Sequence, residues 1–88
     1  MKYTDYFAFL VDEIHSVIAA TTDENGLPVT CAIDMMDWDE NGLYFLTAKG
    51  KNFYHRLKQQ KYIALTGVKG KDTMSSIALS IGGKVTEI

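Results

Sequence analysis

The chain is short, moderately apolar and close to neutral, with 88 residues, 47% of them hydrophobic, and a formal net charge of -2. A chain of this length buries only about 60–65% of its unfolded surface, so one domain over residues 1–88 is expected. The single cysteine excludes an intrachain disulfide framework and a cysteine-rich metal site. No apolar run approaches the ~20 residues of a membrane span, and no basic-then-apolar leader opens the chain, so a cytoplasmic location is expected.

Charge is unevenly distributed along the chain. Nine of the eleven acidic residues lie before residue 41, whereas residues 41–71 carry seven basic residues and no acid. This asymmetry favours an anionic partner for the second half of the chain. The alternative, that the basic side chains only cover solvent-facing surfaces, stays open at this point.

The first third of the chain changes from a helical to a strand pattern. Apolar residues recur at helical spacing over residues 4–14, which predicts a helix. Residues 17–22 and 29–36 have the composition of strands. Between them, Asn25 and Gly26 tolerate positive φ, so a hairpin turn is predicted. In the second strand Cys31 and Ile33 alternate with Thr30 and Ala32, which assigns the two pairs to opposite faces.

The rest of the chain predicts three more strands and one helix. A second turn over residues 37–42 leads to a strand over 43–48, which makes a three-stranded antiparallel meander with the first two. A helix over 53–60, a strand over 62–68 and a loop over 67–73 follow. The last strand, over 77–85, contains Gly82 and Gly83, which predict a bulge or sharp bend. Short strands, tight turns and one intervening helix favour a small β-barrel with peripheral helices.

The junction between the third strand and the second helix is the most chemically distinctive stretch. The first turn of a helix has unpaired N–H groups and the positive end of the helix dipole, and it therefore attracts anions. Thr47 and Asn52 can add hydrogen bonds, and Lys49 and Lys51 add positive charge. A terminal phosphate fits this combination, although a solvated basic turn explains the same residues.

Side-chain catalysis is not supported by the sequence. No nucleophile, base and acid are evident together, and a strand cysteine such as Cys31 is usually a small buried hydrophobe. His15 and His55 have no partner at metal-ligand spacing, so no metal site is predicted. A bound cofactor would supply the missing chemistry, because the protein then needs only to bind and orient it.

The order of these elements resembles the pyridoxamine 5′-phosphate oxidase-like family. The resemblance rests on the strand, turn and junction sequences at residues 17–22, 23–28, 43–47, 53–57 and 62–65. It implies an antiparallel, Greek-key-like split β-barrel, with a helix over residues 1–14 and the barrel over 15–88. It also implies a homodimer that binds FMN in a cleft between subunits.

The resemblance assigns cofactor contacts to two stretches of this chain. Thr30, Cys31, Ala32 and Ile33 would run along the flavin ring and ribityl chain. The junction would hold the phosphate through Thr47, Ala48, Lys49, Lys51 and Asn52. No residue is predicted to be catalytic.

Departures from the family pattern leave other functions open. Cys31 and Met36 stand where the oxidase has basic residues, and the chain stops at Ile88, before the sixth strand and the substrate segment. The expected function is therefore an FMN-dependent oxidoreductase of unknown substrate and not the true oxidase. A haem or deazaflavin ligand, a nucleic-acid-binding barrel and a cofactor-free dimeric interaction domain are the alternatives.

Overall fold

The structure, a computed structural model, describes residues 2–70 and 76–87. Of the predicted loop over 67–73, residues 71–73 lie outside the described residues. The elements in chain order are α1 (Tyr3–Ala8), a π-helical segment (Phe9–Ile14), β1 (Ser16–Thr22), β2 (Pro28–Asp34), β3 (Asp37–Asp39), β4 (Gly42–Tyr44), α2 (Asn52–Gln60), β5 (Tyr62–Lys69) and β6 (Ile77–Lys84). No helix within the described ranges is long and apolar enough to cross a membrane.

The predicted N-terminal helix forms, but its hydrogen-bond pattern changes halfway. The π-helical segment ends where the N–H of His15 donates to the carbonyl oxygen of Leu10, five residues back, at 2.6 Å. Leu10 is fully buried, whereas Tyr3, the first residue of α1, is 79% exposed. The second half of the helical region is therefore the part that contributes to the core.

The first hairpin turn forms as predicted between β1 and β2. The carboxylate of Asp23 accepts the N–H groups of Asn25 at 2.8 Å and Leu27 at 3.0 Å. Gly26 has φ of 80°, a conformation that costs glycine little. These local bonds fix the turn independently of the rest of the molecule.

The predicted three-stranded meander is wrong at its third strand. β4 is shorter than the strand predicted over 43–48, and it pairs with β3 in a separate two-stranded sheet. Asp39 organises this small hairpin, because its carboxylate accepts two backbone N–H groups of the turn and the hydroxyl of Tyr44. The N–H of Met36, in the segment between β2 and β3, also donates to the Tyr44 carbonyl oxygen at 2.9 Å.

The main sheet has the strand order β2-β1-β5-β6, and every neighbouring pair is antiparallel. The bulge predicted at Gly82 and Gly83 is absent, because β6 pairs one for one with β5 from Lys84 opposite Tyr62 to Ile77 opposite Lys69. Neither glycine has a positive φ. β6 is therefore an uninterrupted edge strand.

The inner face of the main sheet carries the core. Its buried residues pack with those of α2 and the helical N-terminal region; the cluster is Leu10, Val17, Ala19, Met35, Phe53, Leu57 and Leu65. Gly67 of β5 is needed for this packing, because a Cβ there would lie 2.9 Å from the Ile14 side chain and 3.1 Å from that of Leu10. The core thus lies between the sheet, α2 and the π-helical segment.

The outer face of the main sheet is uncovered by other described residues and consists mostly of small side chains. Cross-strand partners on this face include Thr30, Ala20, Ala64 and Gly82 in one row and Ala32, Ile18, Thr66 and Ser80 in the next. Its larger apolar members are exposed, with Ile18 at 50%, Val68 at 56% and Tyr62 at 67%. The charged residues of the described strands on this face are Asp34 at the end of β2 and Lys84 at the end of β6.

Among the described strands the main sheet does not close on itself, since β2 and β6 remain its two edges. Antiparallel strands with two helical regions against one face form a short split β-barrel. The fold class predicted from the sequence is confirmed at this level.

Candidate functional site

A groove of about 460 Å³ lies between the edge strand β2 and the segment that leads into α2. We call it the β2 groove; its lining residues are Cys31, Ala32, Ile33, Asp34, Met36, Leu46, Thr47, Ala48, Lys51 and Phe53. Small-molecule sites typically have volumes of roughly 300–1,000 Å³. The groove is therefore large enough for a ligand of cofactor size.

β2 forms one wall of the groove. It pairs with β1 on one side only, so alternate N–H and C=O groups along its other side can meet a ligand. Cys31 and Ile33 are half-buried and pack against the core, while Ala32 and Asp34 are exposed. The wall is mostly small and apolar, with one carboxylate at its end.

The junction before α2 forms the opposite wall. The N–H of Lys51 donates to the carbonyl oxygen of Ala48 at 3.1 Å, and Lys51 occupies the position just before the helix. Helical bonding begins with the N–H of His55, which donates to the Lys51 carbonyl oxygen at 3.3 Å. The N–H groups of the first turn have no intrahelical acceptor, and no described side chain caps them.

The start of α2 is electrically positive. Its first turn contains no acidic residue, and the side chains of Lys49 and Lys51 are exposed. Neither lysine forms an ion pair within the described residues. The helix dipole adds partial positive charge at the same place, so this wall of the groove is suited to bind an anion such as phosphate.

The structure brings together most of the residues predicted as a cofactor site. Six of the nine line the β2 groove, namely Cys31, Ala32, Ile33, Thr47, Ala48 and Lys51. The other three lie apart from its lining: Thr30 is exposed on β2, Asn52 is the exposed first residue of α2, and Lys49 lines a second groove. The strand and the junction, distant in sequence, thus face each other.

Four lining residues of the groove were not predicted from the sequence. They are Asp34, Met36, Leu46 and Phe53. Each lies within three residues of a predicted position, so extending the two predicted stretches along the chain would have included them. Phe53 belongs to the core, with 6% exposure, and also lines the groove.

A larger groove, of about 840 Å³, lies on the other side of the junction, between α2, β4 and β6. We call it the lysine groove, because the lysines along its rim are Lys49, Lys58, Lys61 and Lys84. Its floor is apolar and includes Leu57, Ile63, Leu65 and Ile81. Met36, Leu46 and Thr47 line both grooves, so the two adjoin.

One carboxylate at the lysine groove fastens the last described residues to α2. The hydroxyl of Tyr54 donates to Glu87 at 2.8 Å, and the Lys58 ammonium lies 3.2 Å from the other carboxylate oxygen. The Tyr54 bond, followed by the Lys58 bond, lowers the pKa of Glu87. The same bonds raise the pKa values of Tyr54 and Lys58. Because all three groups are exposed, the contact positions this segment more than it stabilises the fold.

α2 is held against β1 by a partly buried polar contact. The Nε of Arg56 donates to the hydroxyl of Thr21 at 2.9 Å, and Thr21 is only 5% exposed. The guanidinium carbon of Arg56 also lies 5.8 Å from the centre of the Phe53 ring. These contacts keep the helix start at a constant position beside the β2 groove.

The polar cluster nearest the groove does not form an activated nucleophile. The hydroxyl of Ser16 donates to Asp34 at 2.7 Å, and His15 Nε2 lies 3.9 Å from the other oxygen of that carboxylate. Serine activation requires the hydroxyl to donate to the imidazole, whereas here it donates to the carboxylate. Within the described residues, no three histidine, cysteine or acidic side chains meet as a metal site.

A family model described as pyridoxamine 5′-phosphate oxidase matches residues 4–88 of the chain. The match includes both walls of the β2 groove and every strand of the main sheet. Comparison with curated proteins found no match. The relationship therefore rests on the domain as a whole and is independent of any single motif.

Proposed function

Because the chain belongs to the pyridoxamine 5′-phosphate oxidase family, a family of flavin-binding split barrels, we propose that it binds FMN in the β2 groove. The start of α2 carries this proposal. There the exposed Lys51, the uncapped N–H groups and a first turn without acidic residues meet at one wall of the groove. FMN ends in a single phosphate, which is the anion that such a helix start binds.

The remaining groove residues fit the other parts of the cofactor. Thr47, half-buried between the two walls, offers a hydroxyl toward the ribityl chain, and Lys49 adds charge from the neighbouring turn. The ring would lie along Cys31, Ala32 and Ile33, where the edge of β2 offers backbone N–H and C=O groups. When bound, FMN supplies hydride or single-electron transfer, and the protein binds and orients it.

The activity that we propose is a flavin-dependent oxidoreduction of a small molecule in the cytoplasm, distinct from the reaction of the true oxidase. The groove offers few groups for proton transfer, since Cys31 and Asp34 are its only lining residues with a thiol or carboxyl. Asp34 already accepts a bond from Ser16. We therefore expect no essential acid or base from the side chains of this site.

Spectroscopy and calorimetry of the full chain test the cofactor. We expect one FMN per chain, with flavin absorption in the purified or reconstituted protein. Matched titrations with riboflavin, a deazaflavin and haem separate the alternatives, because only FMN and phosphorylated deazaflavins present a phosphate to α2. Haem binding without FMN binding, or no binding of any of these ligands, would overturn the proposal.

We also propose that the outer face of the main sheet is where two copies of the chain meet. A sheet face of small side chains with exposed Ile18, Val68 and Tyr62 can pack closely against a flat partner. Ala32 and Asp34 lie on this face and also line the β2 groove. A second copy would thereby cover part of the cofactor.

The charges on this face support a two-fold contact. Asp34 ends β2 and Lys84 ends β6, and because β1 and β5 are antiparallel these residues occupy diagonally opposite corners of the sheet. A two-fold axis in the plane of the interface, midway between these two corners and perpendicular to the line that joins them, would place Asp34 of each copy against the Lys84 of its partner. Opposite charges at an interface margin favour correct pairing more than they add affinity.

Sedimentation with charge reversals tests the dimer. Asp34→Lys or Lys84→Asp should each weaken association about tenfold, whereas the double variant should restore much of it, since the opposite charges meet again. A stable monomer across micromolar concentrations would remove the dimer. If both single variants associated more weakly and the double variant did not regain association, Asp34 and Lys84 would not meet across the interface.

A further inference from the structure

The lysine groove adjoins the proposed FMN site at Thr47 and Lys49, but its larger part, between α2 and β6, is not used by that site. Its apolar floor lies between α2 and β4, and β6 forms one side over Ile81, Gly82, Gly83 and Lys84. An open apolar surface of this size on a small domain indicates a binding partner. The strand β6 and the charged residues beside the groove indicate what kind of partner it binds.

Two glycines in β6 have no explanation within the described chain. Gly82 and Gly83 have no positive φ and form no bulge. A Cβ on Gly83 would meet no atom within 4 Å, and one on Gly82 would meet only the Ile63 carbonyl oxygen at 3.9 Å. Glycine weakens a strand, and where the chain itself does not need it, it often marks the close approach of another backbone or a ligand.

The position of β6 indicates that a backbone approaches there. β6 pairs only with β5 among the described strands, so its other side presents unpaired N–H and C=O groups next to the groove. An added strand can hydrogen-bond to such an edge, and its alternate side chains then point into the groove. Gly83, opposite the half-buried Ile63, lies on the groove face, whereas Gly82, opposite the exposed Ala64, lies on the outer face.

Charge defines the partner further. Four lysines and one carboxylate, Glu87, line the groove, and Glu87 is already bonded to Tyr54 and Lys58. Lys61 has no ion-pair partner among the described residues. A second copy paired through β6 would bring a second groove with the same four lysines beside the first, so like charges oppose that arrangement. An acidic partner matches this rim.

We propose that the lysine groove binds an extended acidic polypeptide segment as an added strand on β6, with alternate apolar side chains in the groove. This proposal goes beyond the FMN site and does not depend on it, because the interaction needs neither the flavin nor the outer face of the sheet. The partner is defined by its chemistry: an extended strand in which apolar and acidic residues alternate.

Fluorescence anisotropy of the full chain with labelled peptides tests the proposal. The probe alternates valine and glutamate over eight residues, the length of β6. Its matched control carries N-methyl groups at alternate residues, which keeps every side chain but blocks main-chain pairing on one edge. We expect the probe to bind and the control to bind at least about tenfold more weakly, because strand addition depends on main-chain hydrogen bonds.

Neighbouring glycines provide matched protein variants. Gly83→Val places a side chain in the groove and should weaken peptide binding about tenfold or more, whereas Gly82→Val, whose side chain would point to the outer face, should weaken it less and should affect the association of two copies instead. FMN affinity and circular dichroism check folding. If Gly83→Val does not fold, Lys61→Glu at an exposed position should weaken binding severalfold, and Lys2→Glu, just before α1, should not.

Three results would overturn the proposal. The N-methylated control could bind as well as the probe, Gly83→Val and Lys61→Glu could both leave binding unchanged, or the peptide could fail to bind while an anionic amphiphile such as dodecanoate binds. The last result would assign the groove to a small molecule. Because FMN binding is measured in the same samples, failure here is distinguishable from failure of the cofactor proposal.

Discussion

The two α-helices of this protein begin in similar ways but differ in how the helix start is neutralised. α1 follows Lys2 and α2 follows Lys51, both in extended backbone. At α1, the carboxylate of Asp5 in the first turn accepts the Lys2 N–H at 3.0 Å. At α2, the first turn contains no acid, and no described side chain caps it.

This difference shows which helix start can serve a ligand. The carboxylate of Asp5 neutralises part of the positive end of the helix dipole and accepts the Lys2 N–H. The start of α1 therefore needs no external anion. The start of α2 keeps its donors and its positive charge, and it borders the β2 groove. The unpaired N–H groups and the positive charge at the start of α2 therefore remain available to bind a ligand.

The largest expected effect comes from removing the lysine at the α2 start. Lys51→Ala should weaken FMN binding by roughly 10- to 150-fold, the equivalent of one charge-assisted hydrogen bond of about 1.5–3 kcal/mol. Riboflavin, which lacks the phosphate, should lose little affinity. Isothermal titration with both ligands measures the difference, and Lys2→Ala is the matched control at the other helix. Equal losses for both ligands would mean that Lys51 acts through folding alone.

Adding an acid to α2 should make its start resemble that of α1. Asn52→Asp is expected to raise the stability of the ligand-free protein by about 0.3–1 kcal/mol, since it complements the helix dipole. The same charge should repel the phosphate and weaken FMN binding about three- to tenfold. Chemical denaturation and FMN titration together check these opposite signs. A variant that gained both stability and FMN affinity would contradict the assignment of the phosphate to this turn.

The converse change at α1 should affect stability alone. Asp5→Asn removes the negative charge from the first turn and should cost about 0.5–1 kcal/mol, or roughly 2–8 °C in Tm for a domain of this size. FMN affinity should remain unchanged, because α1 does not line the β2 groove. Thermal unfolding followed by circular dichroism measures the shift. If a fully folded Asp5→Asn variant lost FMN affinity, the start of α1 would contribute to FMN binding. The structure does not indicate such a contribution, since no residue of α1 lines the β2 groove.

The smallest effect is expected at Glu87, which follows β6 in the chain and contacts α2 through Tyr54 and Lys58. Bonds from Tyr54 and Lys58 hold its pKa below the ordinary value of 4.5. Because the folded pKa is depressed, the contribution to stability is present above that value and is lost as pH falls through the folded pKa. Denaturation of Glu87→Gln beside the parent should show a slightly weaker decline of stability below pH ~5. Parallel pH profiles would indicate that the contact adds no measurable stability.

The sequence alone predicted the features that depend on neighbouring residues. The turn at Asn25 and Gly26 follows from residues that tolerate positive φ and from the Asp23 carboxylate beside them. α2 and its positive start follow from the order of lysine, helix formers and apolar residues after residue 48. Local hydrogen bonds and helix periodicity decide these elements, so the chain needs no distant contact to specify them.

Tertiary packing decided the rest. The strand predicted after residue 42 pairs with β3 because the bonds of Asp39 close a local hairpin, and the one-for-one register with β5 removed the predicted bulge at Gly82 and Gly83. Packing also placed Cys31 and Lys51 on one groove but turned Lys49 toward another. A sequence specifies which side chains are available, but strand pairing over long separations determines which of them share a surface.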